Sequence, residues 1–67
     1  MEKFKINLLT QQSKVAAHEC NLRRFMESER FQRISFPEQQ LIKKQLEALS
    51  TLNTVYRQRL KIHGLDI

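Results

Sequence analysis

Cysteine, proline and glycine each occur once in this chain of 67 residues, tryptophan is absent, and aromatic residues make up only 7%. With Cys20 alone, no intramolecular disulfide can form, and a reducing intracellular setting fits. One cysteine, two histidines and seven carboxylates, scattered along the chain, are too few for a structural zinc site. No run approaches the roughly 18 apolar residues of a membrane span. The apolar stretch in "MEKFKINLLTQQ" is too short for a secretory signal. The chain therefore reads as soluble and cytoplasmic, with no membrane partner. Phosphate-cradling glycine loops, helix-turn-helix spacing and zinc signatures are all missing. No acid and base stand at a spacing that suggests catalysis, so the expectation is a protein that is not an enzyme and uses no cofactor.

What remains is rich in Gln, Glu, Lys, Arg and Leu, all good helix formers. β-branched alternation is absent. The sequence predicts an all-α fold: an antiparallel two-helix hairpin, with helix 1 near 5–29, a turn near 30–35 and helix 2 near 36–62, as a single domain. In the first segment Leu8, Val15 and Leu22 recur every seven residues. Phe4, Gln11, His18 and Phe25 fill the companion places of a heptad-like stripe, and Met26 lies beside Leu22. In the second, Ile42, Leu49, Tyr56 and His63 are seven apart, with Gln45, Leu52 and Arg59 between them. Leu41, Ala48, Val55 and Ile62 run along one flank, and Leu46 and Leu60 along the other. That apolar face covers about half the helix circumference. One antiparallel partner helix cannot cover it all, and a domain this small buries only about 60% of its unfolded surface. Both points predict a homo-oligomeric helical bundle, with Leu41, Ile42, Leu49, Leu52 and Val55 at the interface.

The break between the helices is marked by local chemistry. Ser35 followed by Glu38 is a capping box, and Pro37 falls in the first turn, where its missing N–H costs little. Phe31 and Ile34 are placed to plug the open end of the hairpin. Gly64, after Lys61 and His63, suits the residue just past the helix end.

The net charge is +5, which favours anionic partners. Arg59 and Gln45 are placed on the seam side of helix 2. Either they make interhelical hydrogen bonds that set register, or Arg59 meets a phosphate with its fork while Tyr56 stacks on a base beside it. Arg23, Arg24, Arg30 and Arg33 crowd the turn, with Lys43 and Lys44 following; they form either a solvated basic cap or an anion-binding end. His18 and His63 are lone seam histidines. Cys20, two residues from His18, faces elsewhere on a helix, so the two make no catalytic dyad. Lys43, Arg57 and Lys61 form a basic strip that could follow a nucleic-acid backbone.

From Asn21 to Leu60 the string "NLRRFMESERFQRISFPEQQLIKKQLEALSTLNTVYRQRL" resembles a family of small phage-encoded proteins, found in crAss-like and other tailed phages. The matching places are Leu22, Phe25, Ser28, Phe31 and Ile34, then Glu38 to Ile42, Gln45, Leu46, Leu49, Val55, Tyr56, Arg59 and Leu60. The pattern departs at Leu49, where the family often has Met, at Leu52, where it has Tyr, and at Tyr56, which replaces an aliphatic residue. The resemblance covers roughly the last two-thirds of the chain. It implies a phage accessory protein acting in the cytoplasm of the infected bacterium. By analogy with other small phage hairpins, it implies an inhibitor of anti-phage defence that sequesters a cyclic nucleotide signal between subunits. Arg59, Gln45, Tyr56, Arg30 and Arg33 would then hold that anionic ligand. A protein–protein inhibitor of a host defence factor and a small basic nucleic-acid-binding protein are the alternatives.

Overall fold

The computed structural model describes residues 2–65. These residues form three helices, α1 (Lys3–Met26), α2 (Glu29–Arg33) and α3 (Phe36–Ile62). No strand occurs among the described residues. The molecule is a rod of 45 × 16 × 15 Å. Its long dimension matches α3, whose 27 residues at about 1.5 Å each give about 40 Å.

α1 and α3 pack side by side and run in opposite directions. Phe4, near the start of α1, sets its ring edge-on against His63 at 4.8 Å, just past the end of α3. Gln12 reaches Asn53. At the far end Met26 and Leu46 line one hollow. Among the described residues three side chains are buried outright: Leu8 on α1, Phe31 on α2 and Leu60 on α3.

The expected two-helix plan needs one correction. The first helix stops at Met26 rather than near 29, and the segment read as a turn carries a helix of its own. Ser28 is extended (φ −86°, ψ 161°), and its hydroxyl donates back to the carbonyl of Phe25. The Ser28 N–H donates to the same carbonyl at 3.0 Å, so the last turn of α1 is closed twice by this one residue. α2 then turns Phe31 inward to 6% exposure, with its ring edge-on to Phe25 at 6.1 Å. The Gln39 side chain donates to the Phe31 carbonyl at 2.7 Å and ties α2 to α3. Ile34 is half-buried beside it.

Both ends of α3 are held by local chemistry. The Glu38 N–H donates to Ser35 Oγ at 3.3 Å, and Pro37 lies in the first turn. At the other end Gly64 has φ +81°. Its N–H donates to Lys61 O at 3.0 Å, and the Leu65 N–H donates to Leu60 O at 2.9 Å. This pair of bonds is a Schellman motif, which needs a left-handed residue at that place. Leu65, five residues after the fully buried Leu60, is itself half-buried.

Candidate functional site

On α1 Leu8 is buried, and Lys5, Leu9, Gln12, Val15, Ala16, Glu19, Leu22, Phe25 and Met26 are half-buried. Leu8, Val15 and Leu22 are the heptad positions read from the sequence, and Gln12, Glu19 and Met26 lie four residues after them; of the expected companions, Phe4 meets His63 and Phe25 is half-buried against Phe31. Gln11 and His18, expected in the seam, are exposed. The cause is a polar bridge at mid-length. Gln12 Nε2 donates to Asn53 Oδ1 at 2.9 Å, and Asn53 Nδ2 donates to Glu19 Oε1 at 3.4 Å. Arg23 Nη2 closes the chain on Glu19 Oε2 at 3.2 Å. A hydrogen-bonded polar seam fixes which faces meet, because a slip would strand its donors and acceptors. No buried side-chain nitrogen or oxygen lacks a partner among the described residues.

α3 carries two heptad stripes side by side. The first comprises Ile42, Leu46, Leu49, Asn53, Tyr56, Leu60 and His63, each of them half-buried or buried. This is the stripe that α1 covers. The second, about 100° further round the helix, comprises Leu41, Gln45, Ala48, Leu52, Val55, Arg59 and Ile62. All seven of its residues are exposed. Leu41 keeps 64% of its surface, Leu52 40%, Val55 43% and Ile62 80%. The steps of four and three between them are those of a coiled-coil seam.

This division sorts the residues singled out by sequence. Among the expected interface residues, Leu41, Leu52 and Val55 are on the open stripe, whereas Ile42 and Leu49 are half-buried on the stripe facing α1. Gln45 and Arg59 do not lie in the seam with α1; both are exposed on the open stripe. Tyr56 is half-buried, and the Arg59 guanidinium lies 5.9 Å from the centre of its ring. A cation over an aromatic face at an exposed site is worth about 0.5–1 kcal/mol. The five proposed ligand residues do not converge within one copy. Gln45 lies about 20 Å along α3 from Arg59. Arg30 and Arg33 are on α2, at the opposite end of the rod from Arg59. Both are exposed, and Arg33 pairs loosely with Glu29 at 3.5 Å. Arg23, also part of the basic end, is engaged with Glu19.

Comparison with protein-family models, curated proteins and solved structures returns no match. The surface itself therefore bears the functional reading. Among the described residues no helix is long and apolar enough to cross a membrane, and no three His, Cys, Asp or Glu cluster as metal ligands. Cys20 is exposed, as is His18. The surface hollows are shallow and open; one is lined by Lys44, Glu47, Ala48, Thr51, Leu52 and Val55, along the open stripe.

Sequence reasoning missed Gln12, Glu19 and Asn53. Their signal was spacing: Gln12 and Glu19 are seven apart and fall four residues after Leu8 and Val15. An apolar count passes over them because they are polar.

Proposed function

We propose that this chain is a non-enzymatic binding protein whose working unit is a homo-oligomer of helical hairpins joined through α3. One observation carries the reading. A complete heptad stripe on α3, with Leu41, Ala48, Leu52, Val55 and Ile62 in it, is solvent-exposed while its neighbour is covered by α1. Water contact along such a stripe is unfavourable by about 25 cal/mol per Å² of apolar surface. Large exposed apolar strips on small proteins mark interaction surfaces. Light scattering on the purified protein tests this reading. A mass of at least twice the 8.0 kDa chain is expected; a monomer at every concentration reached would overturn it.

A second reading adds a ligand to that assembly, and the Tyr56–Arg59 pair favours it. A guanidinium held over a half-buried ring, next to the open stripe, offers a cation and an aromatic face together. In an assembly, such pairs from different copies would line a site for an anionic ring compound such as a cyclic nucleotide. This is the arrangement that a phage accessory protein would need to sequester a defence signal in its host's cytoplasm. Calorimetric titration with cyclic di- and trinucleotides tests it. Binding that Arg59→Ala abolishes supports it, and no heat with any of them removes it.

A further inference from the structure

The open stripe of α3 also carries the information for how a second copy would sit on it. Labelled as a heptad, Glu38, Gln45, Leu52 and Arg59 occupy one core position and Leu41, Ala48, Val55 and Ile62 the other. All eight side chains are exposed. Glu38 and Arg59, near opposite ends, form no ion pair among the described residues; Arg59 has only its contact with the Tyr56 ring.

We propose that a second copy of this chain covers the stripe, α3 against α3 in antiparallel orientation, about a two-fold axis passing near Ser50. This deepens the self-association reading and rests on it. In antiparallel helix pairs the two core positions face each other. The register that uses the stripe most fully places Ala48 against Leu52 of the second copy, small against large, on both sides of the axis. Gln45 then faces Val55, and Leu41 faces Arg59. The aliphatic stem of Arg59 lies over Leu41 while its guanidinium reaches Glu38 one turn further on. Two-fold symmetry makes that ion pair twice, at the two ends of the contact.

Charge selects this arrangement over the others. A parallel, in-register pair would set Arg59 against Arg59 and Glu38 against Glu38, and like charges face to face are unfavourable. Sliding the antiparallel pair by one heptad in one direction puts Leu41 opposite position 66, beyond the end of α3 at Ile62. It also takes Arg59 away from Glu38. Sliding it the other way puts Ile62 opposite position 31 and Arg59 opposite position 34, both before the start of α3 at Phe36. At the rim of the chosen register, Lys44 faces Gln58 and Thr51 faces Thr51, so no basic pair meets there. The chain is +5 overall, yet Glu38, Lys44, Glu47, Arg59 and Lys61 leave the stripe and its edge at only +1. Two copies can therefore meet along this face with little of the repulsion that their net charges would otherwise bring.

Cysteine pairing tests both the face and the direction. In a Cys20→Ser background, Gln45→Cys and Val55→Cys are made separately, so that Arg59 and Glu38 stay in place. Each variant alone, and an equal mixture, is oxidised under mild conditions, with helicity checked by circular dichroism. The antiparallel register predicts disulfide-linked dimers in the mixture at tenfold or greater yield over either variant alone. Cross-linking of Gln45→Cys alone would show a parallel pair and overturn the proposal. Dimers by light scattering without a disulfide in any sample would show that another face is used. A monomer in every sample would remove the self-association reading itself.

Discussion

Leu60→Ala and Leu52→Ala change the same side chain on the same helix, and the structure predicts different consequences for them. Leu60 is fully buried, on the stripe covered by α1, whereas Leu52 keeps 40% of its surface in the open stripe. Truncating Leu60 removes three carbons from the core, a transfer loss of about 2.4 kcal/mol at about 0.8 per methylene. A partly collapsed cavity brings the total to about 3 kcal/mol. A chain of this size has roughly 3–10 kcal/mol in all. At about 4–8 °C per kcal/mol, the melting temperature falls by on the order of 15 °C. That loss appears at every protein concentration. Leu52→Ala costs the single copy about 1 kcal/mol or less, because much of the side chain is already wet. Its effect falls on association: the wild type melts higher as concentration rises, since assembly stabilises the folded chain by mass action. A hundredfold rise in concentration is worth about 2.8 kcal/mol per mole of dimer. Leu52→Ala flattens that dependence, and Leu60→Ala keeps it. The assay is thermal melting followed by far-ultraviolet circular dichroism at two concentrations a hundredfold apart. A Leu60→Ala loss below about 1 kcal/mol would refute the placement of the core. A Leu52→Ala variant as concentration-dependent as the wild type would refute the role given to the open stripe.

Three further outcomes follow from particular contacts. Asn53→Ala leaves the Gln12 amide without its partner in the seam and takes one hydrogen bond from Glu19, which keeps Arg23; it is expected to cost about 1–3 kcal/mol in urea unfolding, whereas Gln11→Ala, on the exposed face, stays within about 0.5 kcal/mol. Ser35→Ala removes the acceptor for the Glu38 N–H and is expected to cost about 1 kcal/mol, read as a lowered urea midpoint with an unchanged slope. Gly64→Ala meets no atom within 4 Å, so its cost comes from the left-handed backbone alone and should be about 1 kcal/mol in thermal unfolding.

The parts of this fold that could be read from the sequence are those set by local chemistry. Ser35, Pro37 and Glu38 mark a helix start whatever surrounds them, and Gly64 marks an end, because capping depends on neighbouring residues only. Phe31 could be placed as a plug because it and Ile34 lie in an otherwise polar link between two helical patterns, although Phe36, at the start of α3, stays 69% exposed. α2 could not, since a helix of five residues has no full period to detect; Ser28 followed by an acidic residue was its one trace. The seam was legible only in part. Leu8, Val15 and Leu22 fix a line along α1, but that line has two possible flanks. Hydrophobicity favoured the flank with Phe4 and Phe25, which packs only at the two ends of α1, on His63 and Phe31; at mid-length the structure takes the flank with Gln12 and Glu19, where Asn53 supplies hydrogen bonds across the gap. On α3 the breadth of the apolar face was evident, but its division into a covered and an open stripe was not. That division depends on which way α1 lies, and it moved Arg59 and Gln45 from the seam to the surface. Their separation along the rod was legible, since 14 residues of one helix span about 20 Å, and Arg30 and Arg33 precede the start of α3, whose far end carries Arg59.

The role of α3 as a contact between copies is tested most directly by an isotope-filtered nuclear Overhauser measurement on an equal mixture of labelled and unlabelled protein. Antiparallel pairing predicts intermolecular cross-peaks from the methyls of Leu41, Ala48, Leu52 and Val55, with Ala48 meeting Leu52 of the other copy, and none from the buried Leu8 and Leu60. Cross-peaks arising from α1 instead, or no intermolecular cross-peak at concentrations where the protein is folded, would contradict it.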